Sequence, residues 1–289
     1  MNITISNEFI SLTVSPLGAE MQSIRDADGH EYLWQGSEVT WKNKAPNLFP
    51  WIARLTQGKY TYDGVEYHME SHGFAAASVF DLRKIGETEL CCTLESNAAT
   101  LQKYPFHFIF TIIYTLKEKT IDICCHVKNE DEKTMFFGLG GHPGFIVPME
   151  VGEEFSDYSL IFSEKATPVQ VGMSEDCFVT CKDVPFPLKN GDTLPLRQDL
   201  FDHDAIILKN TSGEVTLRGK GPRRVTVTYP HSPYLGIWNW PKKDVNYICI
   251  EPWTALPARK NIVEEVTTKP DFQKLPAGQV YSLDWKISL

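Results

Sequence analysis

Polar and apolar residues alternate with a period of two over much of this chain, and turn-forming residues separate the alternating runs. A period of two places successive side chains on opposite faces of a strand, so each run predicts a half-buried β-strand. The Asp63-Gly64 dipeptide between two runs is typical of a tight hairpin turn. The predicted strands are Asn2–Ser6, Phe9–Val14, Tyr60–Tyr62, Val65–His68, Val79–Ile85, Glu89–Leu94, His107–Leu116, Thr120–Val127, Arg223–Tyr229, Tyr234–Trp240, Tyr247–Ile250 and Gln279–Ile287.

Few segments carry a helical period, and the best of them, Ser96–Lys103, ends before Tyr104-Pro105. A parallel α/β sheet needs helices between its strands, so many strands with almost no helices predict an all-β fold, a large antiparallel sandwich. No fixed-period repeat is visible, and the Pro- and Gly-rich stretch Pro185–Leu200 is explained by loops across a sandwich. We therefore expect residues 1–289 to form a single domain.

Charge and composition limit the partners and the cellular location that we expect for this protein. The 289 residues include 28 Lys and Arg against 37 Asp and Glu, and the net charge of −9 disfavours nucleic acid and anionic lipid as partners. The first ten residues have no signal-peptide pattern, and the apolar-rich stretch Phe106–Leu116 is too short to cross a membrane. Seven cysteines without zinc-type spacing fit reduced thiols. We expect a cytoplasmic protein without nucleic-acid or membrane partners.

Two histidines lie in similar surroundings, in Ser71-His72-Gly73-Phe74 and in Gly140-Gly141-His142-Pro143-Gly144-Phe145. Glycine allows the backbone to approach a ligand closely, and an aromatic ring offers a platform for the apolar face of a sugar. A single histidine of this kind is more often a structural residue. The shared surroundings make both histidines candidates for function.

Glu251 and Arg54 are charged residues in apolar sequence. Glu251 follows the predicted strand Tyr247–Ile250, where a carboxylate is costly unless it is paired or used, so it is a candidate general base. The alternative is a Glu that caps a loop. Arg54, in Pro50-Trp51-Ile52-Ala53-Arg54-Leu55, would bind substrate hydroxyls or form an internal ion pair.

Two further clusters of charged residues are weaker candidates for a functional site. Asp202, His203 and Asp204 are consecutive, so in a strand they point to opposite faces and cannot all reach one ion; we expect no metal site. A basic cluster around Gly221-Pro222 would suit phosphate, although a solvated turn is the more usual explanation. Its members are Arg218, Lys220, Arg223 and Arg224. Motifs for nucleotide binding, zinc proteolysis and serine hydrolysis are absent.

Taken in order, the segments that contain Arg54, His72, His142 and Glu251 resemble the aldose 1-epimerase (galactose mutarotase) family, and particularly its shorter LacX-like bacterial branch. Each motif alone is weak, but the ordered set is specific, and the resemblance covers nearly the whole chain. It implies the family's antiparallel β-supersandwich, in agreement with the strand pattern.

The resemblance also implies roles for individual residues. His142 is similar to the family's general acid and Glu251 to its general base, while Arg54 and His72 are similar to substrate-binding residues. A substrate-binding Asp matches Asp204, with Asp202 as the alternative. Three positions depart from the family pattern and put the preferred sugar in doubt: Ala53, Gly141 and Ile146.

The implied activity is interconversion of the α and β anomers of free hexoses such as galactose or glucose. One base and one acid suffice, so no cofactor is expected, and ordinary pKa values predict an ionised Glu251 beside a protonated His142. Two alternatives remain open. One is a hexose-6-phosphate 1-epimerase that holds phosphate with Arg218, Arg223 or Arg224, and the other is a non-catalytic sugar-binding protein. The sequence leaves open the physiological sugar and the choice between monomer and homodimer.

Overall fold

The structure, a computed structural model, describes all residues from 1 to 289 and is built almost entirely from β-strands. One α-helix, α1 (Ala98–Lys103), and four single-turn 3₁₀ helices complete it. The strands are β1 (Ile3–Ser6), β2 (Ile10–Val14), β3 (Met21–Asp26), β4 (Asn47–Leu48), β5 (Lys59–Tyr62), β6 (Val65–His68), β7 (Asp81–Lys84), β8 (Glu89–Glu95), β9 (Phe108–Lys117), β10 (Thr120–Asn129), β11 (Met135–Phe137), β12 (Gly140–Gly141), β13 (Gly144–Ile146), β14 (Ser159–Phe162), β15 (Val169–Gln170), β16 (Val184–Pro185), β17 (Thr193–Pro195), β18 (Ile206–Lys209), β19 (Glu214–Arg218), β20 (Arg224–Thr228), β21 (Tyr234–Trp238), β22 (Tyr247–Trp253), β23 (Glu264–Glu265), β24 (Gln273–Leu275) and β25 (Val280–Ser288).

The all-β prediction is confirmed, and every predicted run overlaps an observed strand. The predicted helix begins two residues later than expected because Asn97 caps α1: its side chain accepts hydrogen bonds from the N–H groups of Ala99 and Thr100. The prediction for β22 was too short. The strand runs through Glu251 to Trp253, so the carboxylate lies within the sheet and not after it.

Two large antiparallel sheets form the sandwich. The nine-stranded sheet has the order β17-β14-β19-β20-β25-β10-β9-β8-β7, and the other has the order β16-β15-β18-β21-β22-β12-β4 with β13 also paired to β22. The sheets approach closely at Gly141 of β12, where an added Cβ would lie 2.6 Å from the Trp285 ring of β25. Three small sheets, β1-β2-β3, β11-β24 and β23-β5-β6, flank them.

The core between the sheets follows from the period-two pattern. In β9 the odd and even positions alternate between buried and half-buried, whereas all seven residues of β22 are buried. One continuous cluster of 71 buried apolar residues links the strands of both large sheets. That continuity is compatible with a single domain, which stays a prediction. No helix has the length and apolarity needed to span a membrane.

Candidate active site

A cavity of about 280 Å³ opens over one face of β21 and β22. Ile248 and Ile250 of β22 point into the sandwich core, so Glu251 between Ile250 and Pro252 points to the opposite face and lines the cavity. All five residues proposed from the sequence as the preferred site lie at this cavity. The complete lining is Trp41, Ala53, Arg54, Ser71, His72, His142, Met173, Cys177, His203, Asp204, Ala205, Ile207, Trp238, Trp240, Glu251, Trp253 and Pro257.

Glu251 lies in the cavity wall with only 1% of its surface exposed. Its cross-strand partner on β21 is Gly236. An added Cβ at Gly236 would lie 3.2 Å from the Glu251 Cβ and 3.0 Å from the Trp253 ring, so the absence of a side chain leaves room for both. The sheet therefore holds the carboxylate in one place with no neighbouring side chain above it on β21.

His142 faces Glu251 across the cavity wall. Its Nε2 lies 3.2 Å from Glu251 Oε2, an approach that lacks hydrogen-bond geometry and leaves Oε2 without a partner. The backbone N–H of His142 donates to the Pro46 carbonyl (3.0 Å), which ties the segment after β12 to the segment before β4. The same pairing brings Trp41 against the imidazole, with ring centroids 4.9 Å apart.

His72 is held in one tautomer by a backbone contact. The Ala53 N–H donates to His72 Nδ1 (3.2 Å), and the His72 N–H donates in return to the Ala53 carbonyl (2.9 Å). Since Nδ1 accepts, the neutral ring carries its proton on Nε2 and is a donor there. Burial lowers the pKa of His72 to about 4, so the neutral donor form is the one present at neutral pH.

Arg54 and Asp204 complete the polar lining. Arg54 is exposed at the cavity and forms no ion pair in the structure, so the internal-pair interpretation of this residue does not hold. Asp204 has a left-handed backbone (φ 75°), and its carboxylate accepts the Ala205 N–H at 2.7 Å. Asp202 does not line the cavity, which distinguishes the two candidates by position.

Burial disfavours both charged partners in the Glu251 and His142 pair. It raises the pKa of Glu251 well above its ordinary value, and the Asp204 carboxylate adds to the rise. It lowers the pKa of His142 well below its ordinary value, with His72 adding to the fall. These shifts do not support the expectation, based on ordinary pKa values, of an ionised Glu251 beside a protonated His142 in the site without a ligand. Both shifts favour the neutral pair, with the proton on Glu251, and this pair holds the same number of protons as the ion pair.

Comparison with known proteins shows to which family the chain belongs. A family model described as Aldose 1-epimerase matches residues 1–288. The chain belongs to the aldose 1-epimerase family. It is 34% identical to the chromosomal Protein LacX of Lactococcus lactis subsp. lactis over 291 residues, which cover 95% of each protein. The resemblance deduced from the ordered motifs is therefore confirmed at the level of the family.

Solved structures of related proteins share the fold over the full length. A galactose mutarotase related enzyme from Lactobacillus acidophilus superimposes with a TM-score of 0.95 at 31% identity, covering 100% of this chain and 97% of that one. A galactose mutarotase-like protein from Lactobacillus casei gives a TM-score of 0.94 at 32% identity, covering 100% and 99%. The β-supersandwich of this epimerase family is thus the fold of the chain.

Sequence reasoning missed the indole rings of this epimerase-family site. Trp41, Trp238 and Trp240 line the cavity together with Trp253. The signal was present, because Trp238 and Trp240 are two residues apart in an extended segment and so share a face. Trp41 offered no such signal, since it reaches His142 only through the pairing of distant segments.

Several buried polar atoms of the lining residues have no hydrogen-bond partner. They are His142 Nδ1, Glu251 Oε2 and Trp253 Nε1. Buried polar groups in folded proteins are normally paired, and each exception calls for an explanation. A polar ligand bound beside these residues would supply partners, and a sugar carries both donors and acceptors.

One grouping at the site has the composition of a metal site. Ligand atoms of His142, Cys249 and Glu251 lie within 4.8 Å of one another. Burial raises the pKa of the Cys249 thiol well above its ordinary value, so the thiolate that a metal needs is disfavoured. Cys249 also does not line the cavity. The chemistry of these donors does not favour a metal, and the absence of a cofactor stays a prediction.

The basic cluster proposed for phosphate lies elsewhere. None of Arg218, Lys220, Arg223 and Arg224 lines the cavity, because they belong to the β19–β20 hairpin of the nine-stranded sheet. Arg223 donates to Glu150 at 2.6 Å, and Lys220 pairs with Asp157 at 2.5 Å. The positions of these residues therefore do not support the hexose-6-phosphate alternative.

Proposed function

We propose that the protein is a mutarotase that interconverts the α and β anomers of a free hexose. The observation that carries the proposal is the contact between Glu251, a group that can accept a proton, and His142, a group that can donate one. The contact lies at the wall of a cavity large enough for a sugar ring. Membership of the aldose 1-epimerase family supports the same reaction class.

Each residue has a role in the proposed reaction. Glu251 removes the proton from the C1 hydroxyl while His142 protonates the ring oxygen, so the bond from C1 to the ring oxygen breaks and C1 becomes an aldehyde. Rotation about the C1–C2 bond turns the other aldehyde face toward the C5 hydroxyl. The same two transfers then run in reverse and close the ring.

The proton balance of the pair suits a reversible reaction. Ring opening converts the ion pair into the neutral pair, and ring closure restores it, so the protein neither gains nor loses a proton overall. Burial favours the neutral pair, which is the form present while the ring is open. Asp204, Arg54 and the Nε2–H of His72 are assigned to bind the sugar hydroxyls, and the indole rings to pack against its apolar face.

The direct test is polarimetry or NMR with freshly dissolved α-glucose and α-galactose. We expect the wild type to accelerate mutarotation and Glu251→Gln to reduce kcat/KM by roughly 10²- to 10⁴-fold, the usual contribution of an acid–base pair. Binding of the same sugars is measured in parallel. A wild type that binds sugar without accelerating mutarotation would establish the sugar-binding alternative, and unchanged rates in Glu251→Gln and His142→Ala would refute the assignment.

A further inference from the structure

His142 must carry a proton before it can protonate the ring oxygen, yet its imidazole has little polar support in the structure. Nε2 faces Glu251 at 3.2 Å, and the buried Nδ1 has no hydrogen-bond partner. In many enzymes the second nitrogen of such a histidine is bonded to a carboxylate or a carbonyl, which orients the ring and favours its protonated form. Support for the imidazolium of His142 therefore has to come from another kind of contact.

Aromatic rings surround the imidazole. The Trp41 ring lies 4.9 Å away between centroids, with the two planes inclined by 31°. Trp238 meets the imidazole nearly at right angles, at 5.6 Å and 81°, and His72 does so at 5.4 Å and 74°. The face of an indole carries partial negative charge, so it stabilises a cation within about 6 Å of its centre, most strongly where water is excluded. Among these three rings, Trp41 is the one that stacks on His142.

The segment between β3 and β4 holds the Trp41 indole in this position. The Trp34 Nε1–H donates to the Trp41 carbonyl at 3.0 Å, and the Ser37 N–H donates to the same oxygen at 2.8 Å. Tyr247 of β22 also stacks on the Trp41 ring, with centroids 5.5 Å apart and planes inclined by 27°. The indole is therefore fixed through both its backbone and its ring.

Gly144 explains how the indole can approach so closely. An added Cβ at Gly144 would lie 2.7 Å from the Trp41 ring, so a side chain there would displace the indole. The Gly144 N–H donates to the Lys44 carbonyl, and the Gly144 carbonyl accepts the Trp34 N–H, both at 2.8 Å. Gly144 follows His142 by two residues, within the segment that marked this histidine as a candidate. This glycine therefore allows Trp41 to stack on His142.

The ionisable groups around His142 do not supply the missing support. Glu251 and Cys249 have atoms within 4.8 Å of the imidazole nitrogens, and His72 lies in ring contact. Burial and His72 lower the pKa of His142, and Glu251 is itself held in its neutral form by burial. The ion pair that begins ring opening is thus the costly form. The other ionisable residues of the cavity lining are Arg54, Cys177, His203 and Asp204.

We propose that Trp41 is a positioning residue for the proposed general acid: its indole fixes the orientation of the His142 ring and stabilises the protonated form that ring opening requires. This inference rests on the proposed mutarotase function. Before ring opening, the proton of the neutral pair moves from Glu251 to His142. It then moves to the ring oxygen while Glu251 takes the proton of the C1 hydroxyl, and Trp41 exchanges no proton.

Mutarotation kinetics with α-glucose and α-galactose test the proposal in Trp41→Leu and Trp41→Phe. Leucine has no aromatic face, so we expect kcat to fall about tenfold, the contribution of one desolvated contact between a cation and an indole. Phenylalanine keeps an aromatic face and should restore kcat to within about threefold of the wild type. An effect of Trp41→Leu on KM alone would overturn the proposal.

Trp240→Leu is the matched comparison. Trp240 lines the same cavity but makes no ring contact with His142, so its loss should act mainly on KM. A fall in kcat as large as that of Trp41→Leu would overturn the proposal, because the loss of any indole from the lining would then have the same effect.

A graded electronic test separates charge stabilisation from packing. Fluorine withdraws electron density from the indole face with little change in its size, so mono-, di- and trifluorotryptophan at position 41 weaken the contact with a cation in steps. We expect log kcat to fall with each added fluorine. Position 51 is the control, because Trp51 is a buried indole that packs on Phe272 and does not line the cavity. A kcat that is independent of fluorination at position 41, or equally dependent at both positions, would overturn the proposal.

The two proposals fail in distinguishable ways. A wild type that does not accelerate mutarotation would refute the mutarotase function, and the role of Trp41 with it. An active wild type whose kcat is unaffected by Trp41→Leu would leave the mutarotase function in place and refute only the role of Trp41.

Discussion

At the scale of single residues, the site depends on which side-chain atoms carry a proton. Glu251, His142 and His72 are all enclosed, and each is displaced from its ordinary protonation behaviour. His72 has a defined tautomer because the Ala53 N–H occupies its Nδ1. Asp204 acts at a distance, since its negative charge makes ionisation of Glu251 more difficult. Two predictions follow from these couplings.

The first concerns Asp204→Asn. Removing the charge should lower the pKa of Glu251, because a neighbouring carboxylate contributes to its rise. The one proton that the pair holds then leaves at lower pH, so the alkaline limb of the kcat/KM profile should move toward lower pH. Asp202→Asn is the control, since Asp202 does not line the cavity. Identical limbs in both variants and the wild type would refute the coupling.

The second concerns His72→Asn and stability against pH. The folded-state pKa of about 4 lies below the unfolded value near 6.5, so the unfolded chain binds more protons between these values. Stability from this residue is present above about pH 6.5 and is lost as the pH falls toward 4. As the pH falls from about 6.5 to about 4, we expect the free energy of unfolding to decrease by about 2 kcal/mol more in the wild type than in His72→Asn. This figure allows for the partial exposure of His72 to the cavity. Urea unfolding at several pH values measures it, and parallel pH curves would contradict the prediction.

At the scale of elements, close approach between the sheets positions the segment that contains His142, the proposed general acid. Gly141 of β12 packs against Trp285 of β25 and directly precedes His142. Gly236 of β21 likewise leaves space for a close neighbour, since it lies opposite Glu251 of β22. Both proposed acid–base residues therefore depend on a neighbouring position without a side chain.

Gly141→Ala should destabilise the protein by about 1–3 kcal/mol and lower mutarotase activity, because its Cβ would meet the Trp285 ring at 2.6 Å and displace β12. Gly86→Ala is the matched control, since nothing lies within 4 Å of an added Cβ there. Thermal unfolding and polarimetry provide the two measurements. Equal behaviour of the two variants would show that β12 adjusts freely.

Element by element, the period-two pattern predicted the long strands β9 and β10, in which one face is half-exposed, but missed the shorter alternating strands β14 and β19. It missed β18, whose first three residues are all buried and so do not alternate. It also ended β22 too early, because a Glu, a Pro and a Trp do not look like a continuing strand. Motif order located the polar site residues. Trp41 reaches His142 through long-range pairing that no local pattern carries.

At the scale of the whole molecule, β25 joins strands from the two parts of the chain. On one side it pairs with β10, which continues to β9, β8 and β7, and on the other it pairs with β20, which continues to β19, β14 and β17. Lys286 of β25 has Asp122 as its partner on β10 and Thr228 on β20. Loss of β25 would divide the nine-stranded sheet into two open sheets.

Lys286→Pro should therefore cost about 3 kcal/mol or more, because proline removes a donor and is excluded from central strands. Arg83→Pro is the control: it is equally exposed but lies in β7, an edge strand, where the cost should be smaller. Urea midpoints compare the two. Equal losses would mean that β25 is not the central link.

The position of β25 also affects how the protein is made. A ribosome releases β10 and β20 before residues 280–288 emerge, so until then each strand presents an unpaired edge to other nascent chains. Synthesis of residues 280–288 closes both edges at once. Slow translation before residue 280 would prolong the aggregation-prone interval, and chaperones that shield strand edges would act mainly during it.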